Sequence, residues 1–495
     1  MPGPSRREWW ALGLITAALL TVVAFWATLA PLYDAPDEAL HMNSAIRLAE
    51  GGGWPDPGDA EVSNMVLAAQ GQAAIPAADR VSLAELRAEN PGYNGVDQMT
   101  QHPPLYYAYV AVVLNAVDFL EIRSDHALLA ARLAGLLFVL PLPFMAWDSV
   151  RRITRSPRAG LVGAASLLAV PQLAHIMGSV SNDSMTVAFG SAVIWLGVRV
   201  MTGDRSWWTT VGIGLALAVA LLTKGTAVPL VAYVAFVMVF WPRELSVRQR
   251  LVRALVSLSA GFLGGWWWAR NLLVYGALQP AGLVYDENPW AEGTGPSVGY
   301  FVEQLWVRVS TSFWGNFGWL THPLPTYLTD FLTVTCVVVV LAYAFRRSAV
   351  RAPMLAMAAV FLVFVLALIY QTWPSYVRSQ LPAGMQGRYF FVIILALIVL
   401  SAVAWRNLVP AVERTKLCIG LLTAFALVAV FGILVEFDAV YTGIYDWILR
   451  APLGIVGTAA LILLTASACV AAFVLAVREV REVRGKDPLA TPALS

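Results

Sequence analysis

"WWALGLITAALLTVVAFWATLAPLYDAPDEALH", residues Trp9 to His41, decides the fold class. Trp9 to Ala30 carry no charge, and a run of that length suffices to cross a hydrocarbon core about 30 Å thick as a helix. Arg6 and Arg7 precede it and no small-residue cleavage site comes after it, so a retained first helix is expected rather than a secretory leader. Directly after it, Asp34, Asp37, Glu38 and His41 crowd the point where the chain leaves the membrane, in a segment stiffened by Pro31 and Pro36. So much charge at a membrane boundary either marks a helix end or does chemistry.

The rest of the chain repeats the apolar pattern. Of 495 residues, 59% are hydrophobic and 13% charged, against about a quarter charged in soluble domains. Further apolar runs lie at roughly 127–150, 159–178, 184–201, 207–223, 225–241, 252–274, 326–345, 352–373, 389–405, 415–435 and 453–477. The expected fold is an all-α integral membrane protein with about twelve transmembrane helices. Short Arg clusters separated by apolar runs exclude a nucleic-acid surface, and the net charge of +2 decides little. Cys336, Cys418 and Cys469 sit far apart inside apolar runs and offer neither a disulfide framework nor a metal spacing.

Basic clusters punctuate the runs: Arg151 to Arg158, Arg243 to Arg253, Arg346 to Arg351, Arg406 to Lys416, and Arg478 to Lys486. Cytoplasmic loops carry excess Lys and Arg. All five clusters fall on that side if the N-terminus does and if "LYYAYVAVVLNAVDFL" (105–120) does not cross, and a stretch that short suits an interfacial helix. The expected organisation is a polytopic domain over 1–477 and a cytoplasmic tail over 478–495. A first external loop over about 31–126 holds the interfacial helix, and a second covers about 275–326, with "YDENPW" and "FWGNFGWLTHP". Polar groups and helix breakers thereby collect on one face, as an outward-opening cavity of a plasma-membrane protein requires.

Several residues on that face are candidates. Asp37 is the expected general base and Glu38 the second acid, since paired carboxylates divide roles when their surroundings differ. Asp34, His41 and His102 are candidates to bind sugar or phosphate, with capping or packing as the alternative. Asp183, in "SND", is a candidate for the same cavity or else a helix N-cap. Lys224, Arg270 and Arg388 stand at outer helix ends, where each either holds an anion or snorkels to the interface. Arg388 has Gly384 and Gly387 beside it, which permit close backbone approach, and Arg378 is a spare cation in the same loop. Trp314 and Trp319 are candidates to stack on a sugar. Many of the other tryptophans fit an aromatic belt.

"APDEALH" (35–41) and "HPPLYY" (102–107) in one loop resemble the paired motifs of the GT-C superfamily of membrane glycosyltransferases. The resemblance is closest to the branch of protein O-mannosyltransferases and lipid A aminoarabinose transferases. There an acidic motif follows the first helix and a "HPPL" motif opens a juxtamembrane helix. "ARLAGLLFVL" (131–140), "LLTKGT" (221–226), "WWWARNLLVYG" (266–276) and "QGRYFFVIILAL" (386–397) follow in the family's order. The resemblance implies a GT-C-type fold with juxtamembrane helices in the first external loop. It also implies a polyprenyl-phosphate sugar donor, a lipid, glycan or protein acceptor, and transfer with inversion. No "WWDYG"-type signature is present, so whole-oligosaccharide transfer is not expected. No metal site is expected and no cofactor required, a divalent cation being an option only. The competing readings are a transporter or lipid flippase, and a non-catalytic scaffold. Transporters place ionisable groups mid-membrane in broken helices, whereas here they gather at outer ends.

Overall fold

A computed structural model describes residues 3–280, 282 and 288–482. Tyr285 to Glu287 of "YDENPW" and most of the expected tail, 483–495, lie outside the described residues. The described chain is mainly helical with almost no sheet, and the protein is a multi-pass membrane protein.

Ser5 caps the first helix, Arg6–Leu29, by accepting from the Glu8 N–H at 3.0 Å, and Pro31 comes just after its end. Among the described residues, eight helices are long and apolar enough to cross a membrane. They are Arg6–Leu29, Ser124–Thr154, Asp183–Met201, Thr326–Ala344, Arg351–Ser379, Gly387–Leu408, Arg414–Val440 and Gly454–Glu482. A ninth crossing arises if Pro157–Ala169 and Pro171–Met177, bent by 69° at Pro171, count as one span. Pro171 has no N–H to continue the ladder, which accounts for the break. The remaining three expected runs are also helical, but Trp207–Leu221 and Gly225–Phe240 are short, and Val247–Tyr275 is long without being apolar enough. The expected number of twelve is therefore twelve helical segments, of which eight or nine span by length and composition.

Two spans form the centre: Asp183–Met201 and Gly387–Leu408 are 78% buried, whereas Thr326–Ala344, Arg414–Val440 and Gly454–Glu482 are 17% buried at the lipid-facing periphery. The most buried helices thus carry Asp183 and Arg388 in their first turns, so whatever those charges meet, they meet inside the bundle.

The two ends of the bundle differ. A cavity at one end is lined by Arg6, Arg7, Arg151, Arg152, Arg155 and Arg243. The 24-residue first helix, about 36 Å at 1.5 Å per residue, separates Arg6 from the acidic segment. At the acidic end the first long loop folds into the same core. Helix Glu38–Ala49 lies against Leu105–Ala116, burying Met42, Ala45 and Ile46 with Tyr106, Tyr107, Val110 and Leu114. Asp97 pins this loop from inside, accepting from Asn43 Nδ2 (2.7 Å), Ser44 Oγ (2.8 Å) and the Met99 N–H (3.0 Å). Leu105–Ala116 has 12 residues, about 18 Å of helix, which is short of the roughly 30 Å needed to cross. The second long segment is more ordered than a loop. It holds helix Val298–Trp314 and a two-stranded hairpin, Asn316–Phe317 with His322–Pro323.

Candidate active site

The break after the first helix is built around Arg132. Its guanidinium donates to the Ala27, Ala30 and Pro31 carbonyls at 2.9, 2.8 and 2.6 Å, taking up acceptors that the helix end leaves free. The same group grips Glu38, Nε to Oε1 at 2.8 Å and Nη2 to Oε2 at 2.6 Å, and the Val180 N–H donates to Oε1 at 2.8 Å. Glu38 is fully buried. Its place beside Asp37 in sequence suggested a second acid, but both its oxygens are committed to Arg132. It acts as a clamp that holds the loop to the bundle.

Asp37 behaves differently. It stands at the N-cap of helix Glu38–Ala49 with φ 64° and makes no capping hydrogen bond. An aspartate at that position ordinarily accepts from the first turn, and the left-handed region costs about 1 kcal/mol or more. Here that conformation is kept while the carboxylate turns to Arg388, whose Nη2 donates to Oδ2 at 2.7 Å. Arg388 reaches this point because the chain at Gly387 is pressed against helix Val298–Trp314. The Gly387 N–H donates to Ser312 Oγ at 2.8 Å, and a Cβ at Gly387 would stand 2.3 Å from the Phe313 nitrogen.

Arg388 also faces Asp183, Nη1 to Oδ2 at 3.6 Å, and Lys224 Nζ donates to Asp183 Oδ1 at 2.7 Å. Asp37, Arg388, Asp183 and Lys224 thus form a chain of alternating charges drawn from four segments. Arg388, Asp183 and Lys224 are nearly or fully buried, while the Asp37 side chain remains 19% exposed. Asp37 is the carboxylate of this chain that solvent reaches. Burial pushes its carboxyl up, but the Arg388 guanidinium, with Lys224 further off, outweighs this and holds it below the usual aspartate range. Tyr389 covers the cations, with Lys224 Nζ and the Arg388 guanidinium each 5.8 Å from its ring centroid.

His41 and His102 complete the wall. His41 Nδ1 lies 3.0 Å from the Tyr107 hydroxyl, to which Asn182 Nδ2 donates at 3.3 Å. Trp54 packs on Tyr107 and donates from Nε1 to the His102 carbonyl at 3.1 Å. Burial, then Lys224, pushes the His41 imidazole down to about 3, and the same causes hold His102 well below its ordinary value. Both rings are neutral, so they serve as hydrogen-bonding groups and not as anion holders. His102 Nδ1 is buried with no hydrogen-bond partner among the described residues.

Other expected residues do not join this cluster. Asp34 turns to His322 and Glu436 instead, and burial followed by the Glu436 charge pushes its carboxyl up to about 6. Arg270 pairs with the exposed Asp56 at 3.4 Å and with Tyr275 at 3.2 Å. Trp314 is packed in the core and donates to Thr333 Oγ1 at 2.8 Å, which leaves no free face for a sugar. Trp319 is exposed. Sequence reasoning missed Arg132, Tyr107, His322 and Glu436 as participants. Two of them had a signal: Arg132 is a lone cation in an apolar run, the kind of residue that needs a buried partner, and Tyr107 closes the "HPPLYY" motif.

The family model described as a predicted membrane protein (DUF2142) matches residues 20–398. No curated protein matches the chain. Among solved structures the chain is similar to ArnT from Cupriavidus metallidurans in the apo state. The identity is 18% and the TM-score 0.49, covering 97% of this chain and 78% of that one. The same enzyme bound to undecaprenyl phosphate gives 17%, 0.48 and the same coverage. The apo oligosaccharyltransferase of Archaeoglobus fulgidus gives 10% and 0.44, over 97% of this chain and 59% of that one. Both are GT-C glycosyltransferases.

Proposed function

We propose that this chain, which belongs to the DUF2142 family of predicted membrane proteins, is a GT-C-type glycosyltransferase. It moves a sugar from a polyprenyl-phosphate donor to an acceptor hydroxyl at the outer face of the plasma membrane. The observation that carries the reading is the pairing of a solvent-reachable, strained Asp37 with the buried Arg388, which Asp183 links to the buried Lys224, at the bundle end opposite the arginine-lined cavity. The paired "APDEALH" and "HPPLYY" motifs support it, because both line this one cluster through Asp37, His41, His102 and Tyr107.

The chemistry follows from the charges. The acceptor oxygen attacks the anomeric carbon and its proton passes to Asp37. The bond from that carbon to the donor phosphate breaks, and its electron pair leaves with the lipid phosphate. Arg388 and Lys224 stabilise that phosphate as its negative charge grows. Without donor, the two carboxylates hold these cations in place. When the phosphate enters, Arg388 is shared with it and loosens its grip on Asp37, and the carboxyl becomes a stronger base once the acceptor must be deprotonated. The resemblance of the two motifs to those of GT-C transferases implies a single displacement with inversion. Glu38, locked on Arg132, is not placed to form a covalent intermediate. A transporter reading lacks support, since the cluster lies at helix starts and not at the middle of broken spans.

The test is lipid-phosphate binding in detergent or nanodiscs, read by native mass spectrometry with undecaprenyl phosphate as probe. Arg388→Ala should weaken binding at least about tenfold, the equivalent of one charge-assisted bond. Arg388→Lys should recover only part of it, because lysine lacks the planar fork. Unchanged binding by Arg388→Ala would remove the phosphate from this site.

A further inference from the structure

Asp34, His322 and Glu436 bring one ligand atom each to within 4.8 Å of one another, and they are the group of this kind among the described residues. They come from three distant segments: the loop after the first helix, the hairpin that succeeds helix Val298–Trp314, and the last turns of helix Arg414–Val440. The transfer chemistry uses none of them. We propose that these three side chains form a binding site for a divalent transition metal of the Zn²⁺ kind.

Two carboxylates stand together here with no lysine or arginine paired to either among the described residues, and only His322 between them. Glu436 Oε2 lies 2.8 Å from His322 Nδ1, while Glu436 Oε1 and Asp34 Oδ2 are buried without any hydrogen-bond partner among the described residues. Glu436 is fully buried. Buried carboxylate oxygens are costly to leave unpaired, and their orphaned atoms belong to the two carboxylates of this group. The chain also keeps space open beside them. Gly318 has φ +56°, and a Cβ there would stand 2.9 Å from Asp34 Oδ2 and 3.0 Å from His322 Cε1. A side chain at 318 would press on the group from the hairpin side.

The donor set selects the metal class. Mg²⁺ and Ca²⁺ prefer all-oxygen ligands, whereas one imidazole nitrogen with two carboxylates suits Zn²⁺, and three protein ligands leave a position for water. Donors about 2.0–2.2 Å from a tetrahedral Zn²⁺ sit closer together than they do here, so binding draws the three side chains inward and displaces the proton between His322 and Glu436. Asp34 and His322 are only partly buried, which gives the ion access. Bound metal would tie three segments to one point three residues from Asp37. Its effect on transfer is one of positioning, because neither Asp34 nor the ion touches the cation cluster. The binding site stands or falls independently of the transferase reading.

The experiment uses the full chain, purified in detergent and stripped with a chelator. Zn²⁺, Mn²⁺ and Mg²⁺ are titrated separately by calorimetry, with metal content checked by elemental analysis after gel filtration. One Zn²⁺ per chain is expected, with Mg²⁺ failing to compete, and bound Co²⁺ should show the intense visible bands of low coordination. Glu436→Gln keeps the shape and a hydrogen bond to His322 and should lose stoichiometric binding. His322→Gln, nearer the surface and so milder for folding, should do the same. Wild-type stoichiometry in both variants, no Zn²⁺ retained by the wild-type chain, or a preference for Mg²⁺ would overturn the assignment.

Discussion

Asp37 is a carboxylate whose neighbours set both its charge state and its task. In the free enzyme Arg388 holds it ionised, so the acid limb of kcat/KM should fall below the ordinary aspartate range. In the donor complex the phosphate competes for Arg388 and adds negative charge, which raises the Asp37 pKa. The acid limb of kcat should therefore lie at higher pH than that of kcat/KM. Coincident limbs would mean that Arg388 keeps Asp37 throughout and that the base lies elsewhere. Glu38 gives the opposite contrast one residue on. Arg132→Met strips its partner and leaves a buried charge, at a cost of roughly 3–5 kcal/mol. Glu38→Gln should also act through stability. Thermal unfolding of the two variants checks this: a stable Glu38→Gln protein with a specific catalytic defect would return Glu38 to the active site. Two adjacent carboxylates in one motif look interchangeable in sequence. What separates them is that Asp37 adopts φ 64° and turns its side chain to Arg388 while Glu38 starts the helix and faces Arg132.

At the scale of elements, the site depends on how closely segments approach. Gly387 is a tight point of the site, because its missing side chain lets the Arg388 segment lie on helix Val298–Trp314. Gly387→Ala must push that contact apart, since the obstructing atoms are the Phe313 nitrogen and the Val309 carbonyl oxygen, both backbone. The expected result is a folded protein whose Arg388 is displaced, with lipid-phosphate affinity falling in the same direction as in Arg388→Ala and a lowered unfolding temperature. Wild-type affinity in this variant would show that the backbone contact is not what places the guanidinium. The closeness of Gly387 to a partner was readable from the glycines beside Arg388. The identity of the partner was not, because helix Val298–Trp314 lay in a stretch read as loop. Its apolar residues are mixed with Glu303, Gln304 and Arg308, so it lacks the long uncharged run by which the spans announce themselves.

Over the whole molecule, hydropathy located every helix among the described residues that is long and apolar enough to cross, since burial in lipid and burial in the core leave the same apolar run. It does not separate full crossings from shorter helices for that reason: of the twelve expected, eight or nine among the described residues are long and apolar enough to cross, while Trp207–Leu221 and Gly225–Phe240 are apolar but short. The cation cluster was legible as well. Lys224 and Arg388 were singled out as cations at outer helix ends, Asp183 in "SND", and Asp37, His41 and His102 through their motifs. Their pairings were not legible, because 34, 322 and 436, or 38 and 132, share no spacing that marks them as neighbours. Arg270 and Trp314 lie apart from the cluster for a related reason: residue type at a helix end says what a side chain can do, and only the packing says which way it faces.

The central claim is that this end of the bundle transfers a sugar from a lipid phosphate, with Asp37 as base. The most direct measurement reconstitutes the purified chain with a panel of polyprenyl-phosphate monosaccharides and follows release of polyprenyl phosphate, with the anomeric configuration of any product read by NMR. The account predicts release with inversion for at least one donor, and a loss of roughly 10²- to 10⁴-fold in Asp37→Asn in a protein that still binds undecaprenyl phosphate. Transfer at the wild-type rate by Asp37→Asn, or a product that retains the donor's configuration, would contradict it.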